Sequence, residues 1–334
     1  MQQLFDITHW VDSLIVEKKI SIKGSWHIKI LQGDASCRVY FRLIAGENNY
    51  ILVASPIDRI DNSLFVKIAE KWRAEGVNVP RVYQINATLG FMLIEDFGET
   101  HLFDLLNNQL DISLYKKAIS QMVVMQQTPN TELSVFDRRF LLREMQLFDA
   151  WLLTYQLGID APDFLSQVYE VLIDNALNQP QTTMHRDFHS RNLMWFEEKV
   201  AVIDFQDAVR GPLAYDLVSL LKDCYVSISP DLIDSLIDYY LLQENILASF
   251  DFKIDREEFV KWFDLLGMQR HLKVLGLFIK LGVEEAKPRY LEELPRVFNY
   301  LVDSAARYNE FDDFHAWLVN SLQPSLNKQA WYRS

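Results

Sequence analysis

Two aspartates and an asparagine stand at spacings suited to phosphoryl transfer. Asp187 and Asn192 belong to the run His185-Arg-Asp-Phe-His-Ser-Arg-Asn192, and Asp204 closes Val200-Ala-Val-Ile-Asp204. Moving a phosphoryl group onto a hydroxyl needs an oriented attacking oxygen, a cation to neutralise the polyphosphate, and a phosphate chain held in line. A carboxylate is a natural acceptor for the hydroxyl proton, and Asp187 sits on a loop entered from an apolar run. The Asn192 amide, five residues on, can turn back and offer Mg²⁺ a neutral oxygen. Asp204, ending an apolar strand, offers a charged one. Each residue alone reads as a cap or a surface side chain. Together, His-x-Asp, four intervening residues, Asn, and a strand-borne Asp twelve positions further on match the loop pattern of nucleotide-dependent phosphoryl transfer.

The flanking pattern says what would position these residues. Residues 7–18 have helical spacing, with Ile7, Trp10, Val11, Leu14 and Ile15 on one face. Short β-branched or aromatic runs follow at Trp26–Leu31, Val39–Ile44 and Tyr50–Ala54, split by turn signals at Gly33-Asp34 and Gly46–Asn49. That order predicts an antiparallel meander. A helix is expected over 61–75, with Leu64, Phe65, Ile68, Ala69 and Trp72 as its apolar stripe and Gly76 as its stop. Two more strand-like runs surround Thr88-Leu-Gly90, and the polar break Glu95-Asp-Phe-Gly98 follows them. Beyond it the pattern is helical, except at 183–205, where two short strands flank Glu197–Lys199. The expectation is an α+β protein of two lobes, a β-rich N-lobe over 1–97 and a mostly helical C-lobe over 98–334.

Bulk properties narrow the partners. A chain of 334 residues is long enough for two such cores. Its net charge of −13 and the lack of any dense Lys/Arg run argue against nucleic acid as a partner. Cys37 and Cys224 have no metal-ligand spacing and read as reduced thiols. The N-terminus lacks a basic segment followed by an apolar run, and no window approaches a membrane span, so a cytoplasmic protein is expected.

The continuation Asp204-Phe-Gln-Asp-Ala208 and Val209-Arg-Gly-Pro-Leu-Ala-Tyr-Asp216, taken with the loop motif, resembles the aminoglycoside phosphotransferase/choline kinase-like family. Gly33-Asp-Ala-Ser-Cys-Arg-Val-Tyr-Phe-Arg42, Gln269–Gly276 and Tyr290–Arg296 are similar to the bacterial anomeric kinases for N-acetylmuramate and N-acetylglucosamine within it. The resemblance spans about 30 to 300. It implies a protein-kinase-like fold and ATP-Mg²⁺-dependent phosphorylation of an amino sugar, in the recycling of cell-wall sugars. It also implies that Asp187 is the catalytic base and that Asn192 and Asp204 are the metal ligands. Gly33, Ser36 and Arg38 would belong to the loop over the nucleotide phosphates, whose backbone amides, hydroxyl and charge suit phosphate oxygens. A plain hairpin turn is the competing reading of that loop. Glu95 and Phe97 would lie in the hinge, where backbone groups pair with adenine. Asp216 would anchor the catalytic-loop backbone.

Near the acceptor, Asp207 is either a partner for sugar hydroxyls or a helix N-cap or loop hydrogen-bonding residue. Arg210 pairs either with an anionic substituent such as a lactyl carboxylate or with a neighbouring acid. Of the cluster Arg270, His271 and Lys273, His271 is taken as the residue facing the ligand. One departure from the family stands out. The third strand, Tyr50–Pro56, has no lysine to grip the phosphates. Either Arg38 or Arg42 supplies that charge, or the protein is a nucleotide-binding pseudokinase. An aminoglycoside- or choline-type kinase is the enzymatic alternative.

Overall fold

The computed structural model describes residues 2–31, 37–46, 48–129, 131–243 and 254–332. The chain divides into two compact units, Met1–Leu102 with Asn192–Gln206, and Phe103–Arg191 with Asp207–Ser334. The architecture is α+β, with the sheet in the first unit and most helices in the second. Asn192–Gln206, which the sequence reading assigns to the C-lobe, packs with the first unit.

In the first unit, α1 (Gln2–Val16) is followed by β1 (His27–Leu31), β2 (Val39–Ala45), β3 (Asn48–Ala54), α2 (Asn62–Ala74), β4 (Val82–Asn86) and β5 (Phe91–Glu95). The strands form one antiparallel sheet in the order β1-β2-β3-β5-β4. Side chains alternate across a strand, so Phe41 and Leu43, Leu52 and Ala54, and Phe91 and Leu93 share one face. They pack there against Ile7, Trp10, Val11 and Leu14 of α1. Arg42 points to the opposite face, across from Ile51 of β3. α2 opens on Asp61, whose carboxylate accepts from the Ser63 amide at 2.8 Å and satisfies an end-of-helix donor. Gly76, just past its end, has φ 90°, a conformation open to glycine at little cost. α1 begins earlier than the spacing indicated, because Gln2–Asp6 extend the helix in front of its buried stripe.

The second unit contains α3 (Leu102–Asn108), apart from its first residue, and α4 (Ile112–Gln126), α5 (Arg138–Leu147), α6 (Leu165–Asn178), α7 (Tyr215–Leu221) and α8 (Pro230–Leu241). α9 (Arg256–Ile279) and α10 (Leu294–Ala305) follow. A ladder of β6 (Gln181–Met184) and β9 (Val209–Pro212), which the local pattern did not indicate, lies among them. α9 is the central helix: 18 of its 24 residues are buried, so it has no wet face in the usual sense. It packs on α5, α6, α7 and α10. At Gly276 an added Cβ would lie 2.2 Å from the carbonyl carbon and oxygen of Leu147, so α9 and α5 touch backbone to backbone. Backbone cannot swing aside as a side chain can. Gly276→Ala is therefore expected to destabilise the protein by about 1–3 kcal/mol, seen as a lower urea midpoint at unchanged m-value.

Candidate active site

The second unit carries the candidate base. β6 runs into the loop that begins at His185, and α7 holds this loop by its backbone. Asp216, 1 % exposed, accepts from the His185 amide at 2.7 Å and the Arg186 amide at 3.0 Å. Ser219 Oγ donates to the Arg186 carbonyl at 3.3 Å, and the Ser190 amide donates to Asp223 at 2.9 Å. Arg186 has φ 77°, a costly backbone conformation for a long side chain. Its guanidinium is held by Glu144 of α5 at 2.9 Å and lies 4.9 Å over the Phe140 ring. Burial pushes the Asp216 carboxyl up to about 6, against the pull of His185 and the two amide donors.

Asp187 follows from this anchored stretch with 43 % of its side chain open. The Lys273 ammonium of α9 is 3.9 Å from its Oδ1, and the Asp187 amide donates to His185 Nδ1 at 3.3 Å. Desolvation raises this carboxyl, but Lys273, Arg186, His189 and Arg270 together outweigh it and hold the group well below the ordinary carboxylate range. The side chain is thus an ionised acceptor, suited to orienting a hydroxyl and taking its proton late in transfer.

The first unit carries the candidate metal ligands. β7 (Leu193–Phe196) and β8 (Lys199–Val202) pair from Leu193↔Val202 to Phe196↔Lys199. The Ile203 amide extends the ladder by donating to the Asn192 carbonyl at 3.0 Å. Asn192 and Asp204 therefore leave the same end of one hairpin. Asp204 has φ 64°, a left-handed conformation that aspartate tolerates better than most residues. Its Oδ1 accepts from Gln206 Nε2 at 2.6 Å. The next residue, Phe205, is fully buried against Phe65 and Trp72 of α2, with ring centroids at 4.6 and 5.4 Å, and so fixes the turn. An amide oxygen and an exposed carboxylate at one hairpin end are hard donors that fit Mg²⁺, which keeps most of its waters.

The hinge residues occupy the same unit. The Glu95 amide donates to the Arg81 carbonyl at 2.9 Å, and its carboxylate accepts from Arg73 and the Arg81 amide at 3.1 and 3.0 Å. Phe97 is 5 % exposed and packs on Phe196, Met194 and Ala201. Arg42 is committed to this segment. Its guanidinium donates twice to Asp96, at 2.6 and 3.1 Å, once to the Gly98 carbonyl at 2.7 Å, and to Glu99. Of the two arginines weighed as substitutes for the missing lysine, Arg42 thus has its charge spent. Arg38 is buried, with its guanidinium 5.8 Å from the Phe65 ring centroid. Gly33 and Ser36 lie outside the described residues.

The acceptor-side assignments fare unevenly. Asp207 is exposed, and its carbonyl accepts from Arg186 at 3.4 Å. Arg210 lies on β9 opposite Thr183, and its Nε is buried with no hydrogen-bond partner among the described residues. His271 needs correction. It is fully buried, its ring stacks on Tyr300 at 5.2 Å, and Nε2 lies 3.4 Å from the Lys222 carbonyl. Burial drives its pKa well below the ordinary value, with Lys222 and Arg270 adding to the effect. It is a neutral core residue, and Lys273 is the member of that cluster beside Asp187. Glu144 was also missed. Its contacts with Gln269 and Lys273, four apart on one helix face, are at 3.4 and 3.3 Å, and nothing in its own surroundings in the sequence marks it.

The chain belongs to the phosphotransferase enzyme family, which matches residues 27–252. It is a small-molecule kinase with a protein-kinase-like fold. An N-acetylmuramate/N-acetylglucosamine kinase from Pseudomonas aeruginosa is 33% identical over 325 residues, covering 94% of this chain and 95% of the relative. A protein of the same name from Neisseria meningitidis is 30% identical, covering 96% of each. Among solved structures, a choline/ethanolamine kinase family protein from Mesorhizobium loti superposes with a TM-score of 0.61 at 13% identity, covering 94% of this chain and 99% of that one. Among the described residues no helix is long and apolar enough to cross a membrane.

Proposed function

We propose that this chain transfers the γ-phosphoryl group of ATP, as its Mg²⁺ complex, to the anomeric hydroxyl of N-acetylmuramate, N-acetylglucosamine or both, in the cytoplasm. The reaction reading rests on one observation: Asp187 is an ionised, accessible carboxylate on a loop hung from three side chains of the second unit. The choice of acceptor rests on similarity along nearly the whole chain to kinases that carry those sugar names.

In this reading Asp187 orients the attacking hydroxyl and accepts its proton. Asn192 and Asp204 hold the cation, which neutralises charge on the phosphates. Gly33, Ser36 and Arg38 cover the phosphate chain, and Arg38 stands in for the absent lysine because Arg42 is engaged by Asp96 and Glu99. Backbone groups of the hinge at Glu95 and Phe97 pair with the adenine. Asp207 accepts from sugar hydroxyls. Arg210, whose buried Nε has no hydrogen-bond partner among the described residues, suits a lactyl carboxylate better than a cationic acceptor.

Labelled phosphate from ATP should pass to N-acetylmuramate and N-acetylglucosamine and not to an aminoglycoside or choline, giving an acid-labile product. Transfer confined to the aminoglycoside or choline would overturn the sugar reading. Nucleotide binding without transfer to any acceptor would make the chain a pseudokinase.

A further inference from the structure

The buried charges beside Asp187 do not balance in the way ordinary ion pairs do. Glu144 has 6 % of its side chain open, yet two cations share its Oε1: Arg186 at 2.9 Å and Lys273 at 3.3 Å. Gln269 donates to its other oxygen at 3.4 Å. One carboxylate cannot neutralise two buried cations, and an unbalanced buried charge is expensive. Lys273, with 8 % of its side chain open, has one other carboxylate within reach among the described residues, Asp187 at 3.9 Å. Burial lowers the Lys273 pKa, but Asp187 and Glu144 raise it by more, so the ammonium stays charged. The separation from Asp187 is too long for a tight ion pair, and 43 % of the Asp187 side chain stays exposed.

We propose that Lys273 is a positioning residue for the phosphoryl-transfer step, tethered by Glu144 so that its ammonium orients the Asp187 carboxylate toward the acceptor hydroxyl. The inference rests on Asp187 being the hydroxyl acceptor. It gives α9 a role beyond packing: its Gln269 and Lys273 turn, clamped to α5 through Glu144, sets where the base points. A lysine braced at one side by a carboxylate it shares with Arg186 cannot collapse onto Asp187 and consume it. The arrangement therefore supplies charge without a tight Lys273–Asp187 contact. Arg270, 2 % exposed with a thiol contact to Cys224 at 3.4 Å, lies deeper and adds to the same field.

A two-by-two set of variants tests this, with Lys273→Met, Asp187→Asn and the double variant measured in single-turnover phosphorylation of N-acetylmuramate and N-acetylglucosamine. Lys273→Met is expected to lower kcat about 10–100-fold, the cost of a misplaced reacting group, with KM for ATP and sugar nearly unchanged. In the Asp187→Asn background it should cause no further loss, since it acts through that carboxylate. Lys273→Arg, which keeps charge and stem, should recover most of the loss even if Lys273→Met folds poorly. Losses that add in the double variant, or a Lys273→Met enzyme with wild-type kcat, would overturn the proposal. Near-normal turnover by Asp187→Asn alone would instead remove the base assignment on which the proposal depends.

Discussion

Asp187→Ala is expected to lower kcat by about 10²–10⁴, the range for loss of a positioned acid or base, with little effect on ATP binding and a lowered melting temperature. The size follows from the absence of a replacement nearby among the described residues. Glu144, also beside Lys273, is buried and occupied by Arg186, Lys273 and Gln269. Asp216 is consumed by two loop amides. The lower stability follows from charge and not from packing: with 43 % of its side chain open Asp187 loses few contacts when truncated, but Lys273 and Arg186 are left to share the single carboxylate of Glu144. A pH profile adds an independent check. Burial raises this carboxyl, but Lys273, Arg186, His189 and Arg270 hold it below the ordinary range, so it stays ionised as pH falls through about 5. Any acid limb in kcat between about pH 5 and 8 must then belong to another group, and Asp187→Asn should leave the limb in place while lowering the plateau.

The features readable from the sequence were those that local chemistry determines. The meander is written in alternating apolar runs and glycine turns, and the Asp187–Asn192 spacing is a property of one loop. The Gly76 stop of α2 likewise depends only on neighbours. Features built from partners far apart in the chain were not readable. Arg42 is a plausible phosphate ligand on a strand until Asp96 and Glu99, more than fifty positions on, take its guanidinium. The choice of His271 over Lys273 failed for a related reason. Apolar periodicity identifies an inward face only when a helix has an outward one, and α9 is buried on nearly every side. In such a helix the charged positions are sorted by which neighbours can neutralise them. Lys273 has Glu144 and Asp187, whereas His271 has an aromatic ring and a carbonyl and stays neutral. The β6–β9 ladder was hidden by its length, because two runs of four residues some twenty-five positions apart carry no period of their own.

Asp204→Asn separates charge from backbone at the candidate metal ligands of the first unit. Asparagine accepts the left-handed φ of 64° that Asp204 adopts and can still receive the hydrogen bond from Gln206. Phe205 would stay wedged between Phe65 and Trp72, so the hairpin should keep its shape and the melting temperature should move little. Only the negative charge is lost, and it is the one anionic donor at a hairpin end where Asn192 offers a neutral oxygen. Since a bound cation supplies several kcal/mol of stabilisation to a phosphoryl-transfer transition state, kcat should fall by about 10²–10³. Calorimetric titration with ATP should show a weaker affinity in the presence of Mg²⁺ and little change without it. That contrast is the decisive measurement: an equal weakening with and without Mg²⁺ would mean that Asp204 shapes the nucleotide pocket and holds no metal. Asp204→Ala should do worse on both counts, because alanine also pays for the left-handed backbone and releases Gln206.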